Sequence, residues 1–272
     1  MTRLKALYLG FCSRFPGGTG HRPSPLVRSV LHALTTLWFS GNSEYLEFLF
    51  TLIDAPQLND INITFSDMSA FAFDTPQFLQ FTNRTEIHNA FNRAIVRFYC
   101  HCVEVTLSSE SLRVDQPSVR LRVSWAKYDW QLLCLVRLCR STFPLPLLSI
   151  LEYLEIYNHW NPCIYSTDLW LELLGLFSFV KSLSLSDNLT LPVMAALGEL
   201  VGGRVLELLP VLQNVRLHPR GLFRSPQDAV GPFVAVRKLS GHPVAVHRVE
   251  PGGWIEDACR DRERKNGLCF LS

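Results

Sequence analysis

The feature that most constrains this chain is a spacing of apolar residues, LxxLxL, that keeps returning. Leu151, Leu154 and Ile156 carry it in ILEYLEIYN, and Leu4, Leu7 and Leu9 carry it in RLKALYLG. Leu34, Leu37 and Phe39, then Leu58, Ile61 and Ile63, then Val180, Leu183 and Leu185, then Leu212, Val215 and Leu217 repeat it. Successive side chains of an extended segment point to opposite faces, so the second and third positions of each frame predict a short strand with one apolar face. One such strand cannot bury that face alone. A neighbouring unit must stack on it, which makes a repeated, stacked architecture the expectation.

First positions lie 30 (4 to 34), 24 (34 to 58), 29 (151 to 180) and 32 (180 to 212) residues apart. These intervals are near or slightly above the roughly 20–29 residues of leucine-rich repeats. The expected fold class is therefore α/β: an irregular leucine-rich-repeat-like solenoid, with a curved, mostly parallel sheet and helices on its outer face. One domain is expected over residues 1–250, with degenerate repeats across 66–150. A flexible tail is expected over 251–272, where the charged PGGWIEDACRDRERKNGLCFLS loses all periodicity. Met1 stands just ahead of the first frame with no capping element, so the start reads as a cut through a longer protein.

Between the frames, FPGGTGHRPSP predicts a loop and Leu26–Leu34 a short helix. Asn42 predicts the N-cap of a helix whose inward stripe is Tyr45, Leu46, Leu49, Leu52 and Ile53. Asp74, Thr75 and Pro76 open another through Phe81. Alternation then predicts strands carrying Val96 and Phe98, Val103 to Leu107, and Val119 to Val123, with Arg120 and Arg122 on the opposite face of the last. The same alternation carries Cys100 and Cys102 onto the face of Val96 and Phe98. Asp129 predicts the cap of a helix with Leu132, Leu133, Val136 and Leu138 inward and Arg137 and Arg140 outside. Further helices are expected from Thr167 or Asp168 to Phe177, from Pro192 to a stop at Gly202 and Gly203, and from Ser225 and Pro226 to Leu239, where Gly241 ends it. VAVHRV reads as an edge strand.

Composition narrows the function classes. With 48% hydrophobic residues in 272, a sizeable core can form. Lys and Arg number 26 against 24 acidic residues, a net of +2 that offers no basic bias toward nucleic acid. Eight cysteines without a secretory signal read as reduced, mostly buried thiols, which places the chain in the cytoplasm or nucleus. The longest uncharged apolar stretch, STFPLPLLSIL, is broken by Pro144 and Pro146 and is shorter than the roughly 20 residues a bilayer demands. On that reading the sequons at Asn62, Asn83 and Asn188 stay unmodified.

Catalytic signatures are missing: no GxSxG, GxxxxGK, HExxH or paired CxxC occurs. The expectation is a non-enzymatic chain with no catalytic residue, metal or cofactor. Cys100-His101-Cys102 comes nearest to a metal motif, and strand alternation accounts for its thiols as small apolar residues. Two alternatives stand beside this reading. One is an uncharacterised α/β enzyme working from the 94–125 strands. The other is a prenylated peripheral membrane protein, because CFLS presents Cys269 in a lipidation frame behind Arg260, Arg262, Arg264 and Lys265, although Asp257, Asp261 and Glu263 dilute that charge.

Residues between the inward positions would face the concave side of a horseshoe. They are Asp60, Asn62 and Thr64, then Tyr153, Glu155 and Tyr157, then Ser182, Ser184 and Ser186, then Asn214, Arg216 and His218. Interfaces enrich Tyr and Arg, which makes Tyr153, Tyr157 and Arg216 the first partner contacts. Asp60, Asn62, Glu155, Ser184 and Asn214 complete the candidate face.

Several segments, in this order, carry a family resemblance: LIDAPQLNDINITF, FDTPQFLQFTNRT, YDWQLLCLVRLC, LPLLSILEYLEIY, LWLELLGLFSFVKSLSLS, LGELVGGRVLELLPVLQNVRL and VGPFVAVRKLSGHPVAVHRV. Over most of residues 1–249 the chain resembles the repeat region of F-box proteins with leucine-rich-repeat-like C-terminal halves, as expanded in mushroom-forming fungi. The resemblance implies a face that binds a protein substrate. It also implies a separate F-box that engages a Skp-type adaptor of a cullin-RING ubiquitin ligase. No F-box stands ahead of the repeats in this sequence, so only the substrate-binding half carries over, and the tail after His247 departs from the family's usual close.

Overall fold

The computed structural model describes residues 4–11, 28–66, 75–85, 87, 91–109, 116–124, 130–159, 166–200, 204–218 and 226–249. The chain alternates strands and helices: β1 (Ala6–Gly10), β2 (Ser29–Val30), β3 (Thr36–Gly41), α1 (Ser43–Leu52), β4 (Ile53–Asp54), β5 (Asp60–Phe65), α2 (Pro76–Arg84) and β6 (Arg93–Phe98). There follow β7 (Cys102–Ser108), β8 (Ser118–Ser124), α3 (Gln131–Thr142), α4 (Leu145–Ser149), β9 (Tyr153–Asn158) and α5 (Thr167–Leu176). The order closes with β10 (Ser182–Ser186), α6 (Asp187–Gly198), α7 (Arg204–Leu208), β11 (Asn214–His218), α8 (Pro226–Leu239) and β12 (Ala245–Arg248).

Ten strands form one sheet in the order β1-β3-β5-β8-β7-β6-β9-β10-β11-β12, parallel everywhere except at β7, which runs antiparallel to both neighbours. The fold is mixed α/β with a large, mostly parallel sheet. The central position of each frame lies in one continuous row across it: Leu7, Leu37, Ile61, Val119, Leu107, Ala94, Leu154, Leu183, Val215 and Val246 are successive register partners. From Leu37 to Val215 these residues are buried. At roughly 1.5–3 kcal/mol per fully buried aliphatic side chain, this row is a main contributor to the stability of the sheet.

The first position of each frame has its own job. Leu34, Leu58, Leu151, Val180 and Leu212 each close a tight turn, donating their N–H to Leu31, Ala55, Leu148, Phe177 and Leu209 respectively. The two residues after each of them then share one carbonyl of the preceding unit. Asn59 and Asp60 donate to Thr35, Glu152 and Tyr153 to Asn92, Lys181 and Ser182 to Glu152, and Gln213 and Asn214 to Lys181. A buried leucine at that position anchors the turn, and the turn sets the register of the strand that follows.

The helices make a second layer. α1, α2, α3, α5, α6 and α8 each pack on the next, and their buried residues join those of the strands in a single core. Asn42 caps α1 as expected, its Oδ1 accepting from the Tyr45 N–H at 2.9 Å. On α1 the fully buried residues are Leu46 and Phe50, while Ile53 is the C-cap and begins β4.

Three expectations are corrected. No helix runs through residues 28–34; Ser29 and Val30 instead pair in parallel with Ile53 and Asp54 as a small second sheet. Pro192 lies inside α6, because that helix begins directly after β10 with Asp187 in its first turn, where an acidic side chain favours the helix dipole. The strand through Val96 and Phe98 ends before Cys100. A turn at 99–101 shifts the alternation, so Cys102 pairs with Ser124 on the polar face and Val103, Val105 and Leu107 point inward. Trp130 occupies the N-cap position of α3, and its own side chain makes no cap hydrogen bond; Asp129, Gly202, Gly203 and the tail 251–272 lie outside the described residues.

Candidate interaction face

The face of the sheet opposite the apolar row is polar, and the register orders it. From one edge to the other its middle row reads Tyr8, Trp38, Asn62, Arg120, Thr106, Ile95, Glu155, Ser184, Arg216 and His247. Beside it run Thr64, Arg122, Glu104, Arg97 and Tyr157.

Two buried carboxylates organise this face. Glu104 on β7 is 2% exposed. Its Oε1 lies 3.1 Å from Arg97 Nη1 and 3.6 Å from Arg120 Nε, and its Oε2 accepts from Arg122 Nε at 3.2 Å and Nη2 at 3.0 Å. Burial pushes the Glu104 carboxyl up, but the fields of Arg120, Arg122 and Arg97 together override it and hold the group below the ordinary carboxylate value. The reciprocal holds for Arg122, where burial pulls the guanidinium down and Glu104 carries it above its ordinary value. Arg122 also lies over the Tyr99 ring at 5.6 Å, within cation–π range.

The second carboxylate, Glu155 on β9, pairs with Arg93 on β6 and accepts the Tyr157 hydroxyl hydrogen bond at 2.9 Å. Burial first, then the Glu155 charge, push the Tyr157 phenol well above its usual range, so it stays a donor. Beyond Glu155, a cavity of about 310 Å³ is lined by Glu155, Ser184, Arg216, His218, His247 and Val249. His247 Nε2 reaches Asn214 Oδ1 at 3.2 Å. At the opposite edge Tyr8 is 65% exposed and leans on Trp38, with ring centroids 5.7 Å apart.

The structure gathers all the candidate contacts on this one face, in different roles. Tyr153, Tyr157, Asp60, Asn62 and Asn214 are half-buried and Arg216 is exposed, while Glu155 and Ser184 are buried. Asp60 accepts from Ser118 Oγ at 2.7 Å. Ser186 is fully buried, accepting from the Asn158 N–H at 3.0 Å and donating to Asn188 Oδ1 at 2.7 Å, so it ties β10 to β9 and offers nothing to a partner. Residues that the repeat frame passed over are Tyr8, Trp38, Arg93, Arg97, Glu104 and His247. A signal for the central group exists in the sequence: Arg97, Glu104 and Arg122 alternate with apolar residues on three consecutive strands.

Cys134 and Cys139 belong to the core, where burial raises their thiols to about 11 and about 12. Among the described residues no three His, Cys, Asp or Glu side chains gather into a metal-binding group, and no helix is long and apolar enough to cross a membrane. Cys269 lies outside the described residues. No protein-family model, no curated protein and no solved structure matches this chain.

Proposed function

We propose that this chain is a non-enzymatic interaction module, an irregular leucine-rich-repeat-like solenoid that docks a protein on its polar sheet face. It corresponds to the substrate-recognition half of an F-box subunit of a cullin-RING ubiquitin ligase. One observation carries the reading. The polar face is a preorganised set of arginines held by buried carboxylates, with the exposed Tyr8 leaning on the half-buried Trp38 at one edge, and Arg, Tyr and Trp are the residue types that anchor interfaces. Support for the repeat architecture comes from the turn and shared-carbonyl pattern that recurs at Leu58, Leu151, Val180 and Leu212. Recruitment of a Skp-type adaptor requires an F-box joined to these repeats. An enzyme built on the 94–125 strands is less well supported, because the buried carboxylate there is engaged by three guanidiniums and is a poor proton acceptor.

The test is photo-crosslinking from p-benzoylphenylalanine placed at Tyr8, Asn62 or Tyr153 on the sheet face, or at Arg140 on the helix layer, in cells that express the protein. Adducts to one protein from the face positions alone support the reading. Equal labelling from Arg140, or none from the face, removes it.

A further inference from the structure

The last strand departs from the frame at one position. Arg248 of β12 is the register partner of Leu217, and the row continues inward through Leu185 and Ile156, all three buried and apolar. A guanidinium therefore stands on the helix-facing side of the sheet, where these neighbours place an aliphatic side chain. It is exposed and makes no ion pair among the described residues. No helix follows β12 among the described residues, so the inward side of β12 and the near flank of α8 stay uncovered, with Val246 37% exposed. Between them opens a cavity of about 320 Å³, separate from the one on the polar face. Val230, Gly231 and Val234 of α8 line it, with Leu217 of β11 and Val246 of β12, and Arg248 supplies the one charged group among its described lining residues. At Gly231 an added Cβ would meet no atom within 4 Å, so the opening reaches the α8 backbone there. Glycine weakens a helix interior relative to alanine; at this position it also leaves the cavity unfilled.

We infer that this cavity is a binding site for a medium-chain aliphatic carboxylate, with the alkyl chain between α8 and β12 and the carboxylate paired with Arg248. One guanidinium fork matches one carboxylate in both charge and geometry. The volume suits an alkyl chain of about ten carbons, at roughly 30 Å³ for each methylene, which is close to a water molecule in size. A peptide segment would bring backbone N–H and C=O groups that an aliphatic lining cannot satisfy, whereas an alkyl chain has none. The site lies on the other side of the sheet from the docking face and does not depend on the docking reading.

The test titrates the whole chain with sodium decanoate by calorimetry, below the concentration at which micelles form. We expect one saturable site, with octanoate at least fourfold weaker, since each buried methylene is worth up to about fourfold in affinity. Decanol and decylammonium should bind at least tenfold more weakly than decanoate. R248Q should bring decanoate down to the level of decanol and leave decanol itself unchanged. G231F, which fills the opening, should abolish binding of both, while R216Q on the polar face should change neither. Circular dichroism checks the fold of each variant, and R248Q alters an exposed side chain, so it decides the matter even where G231F does not fold. Decanoate binding that is unchanged in R248Q, or that falls in R216Q instead, overturns the inference. Non-saturable binding without dependence on chain length would mean surfactant adsorption. A decapeptide with an apolar carboxyl end that binds more tightly than decanoate would mean a site for a chain terminus; either result overturns the inference as well.

Discussion

Arg122 and Glu104 face each other across β8 and β7, and both Nε and Nη2 of the guanidinium donate to one carboxylate oxygen, at 3.2 and 3.0 Å. Removing that carboxylate takes from Arg97, Arg120 and Arg122 the charge they share. Glu104→Gln is expected to cost about 3–5 kcal/mol, the usual scale for breaking a buried pair from one side. Urea denaturation at pH 7 checks this, and a loss below 1 kcal/mol would mean that the cluster does not hold the central strands.

The same group gives the acid limb of stability its direction. Because the folded pKa of Glu104 lies below its ordinary 4.5, the unfolded chain takes up the proton first as pH falls. Its stabilising contribution is complete above about pH 5 and fades as pH drops through 4.5 toward the folded value. Between pH 5 and 3.5 the natural protein should therefore lose more stability than Glu104→Gln does. Parallel curves for the two would contradict this assignment.

Arg237 is 1% exposed and donates to two backbone carbonyls, Leu209 at 3.0 Å and Leu212 at 2.8 Å, at the turn that leads into β11. Arg237→Leu leaves both carbonyls without that donor and should destabilise by about 2–4 kcal/mol. Hydrogen exchange is expected to report the loss first at Leu212 to Leu217. Unchanged protection there would show that the turn holds itself.

The thiols should separate by environment. Cys100 and Cys102 are half-buried at a turn, while burial raises Cys134 and Cys139 to about 11 and about 12, so few thiolates form at pH 8. Mass-spectrometric mapping after brief iodoacetamide treatment should find Cys100 and Cys102 modified before Cys134 and Cys139. Cys134 and Cys139 should react only after denaturant is added, and early labelling of either would mean that α3 opens readily.

Helix α2 is capped from outside its own segment. Glu47 on α1 accepts from the Gln77 N–H at 2.7 Å and the Phe78 N–H at 3.0 Å, while the Thr75 hydroxyl makes no cap. Glu47→Ala should cost about 1–2 kcal/mol, the value of a helix cap with a favourable charge at the dipole. By contrast Tyr8→Ala, on the open edge, should stay within about 0.5 kcal/mol. Thermal melts of the two variants side by side test the contrast.

Local spacing alone determined a good part of this protein. Leu34 through Leu217 could be assigned to an inward row because strand alternation has period two wherever one face is apolar, and the same rule found β6, β7 and β8. What failed were the turns: the break after Phe98 inverted Cys102, and Pro192 misplaced the start of α6, because neither event leaves a mark in apolar periodicity. Only the tertiary structure decided that β6, β7 and β8 enter the sheet in reverse order, with β8 beside β5 and β6 beside β9. That order brings Arg97, Glu104 and Arg122, scattered over three strands, to one point. Strand pairing between distant segments depends on which faces bury together across the whole sheet, and no single segment carries that information.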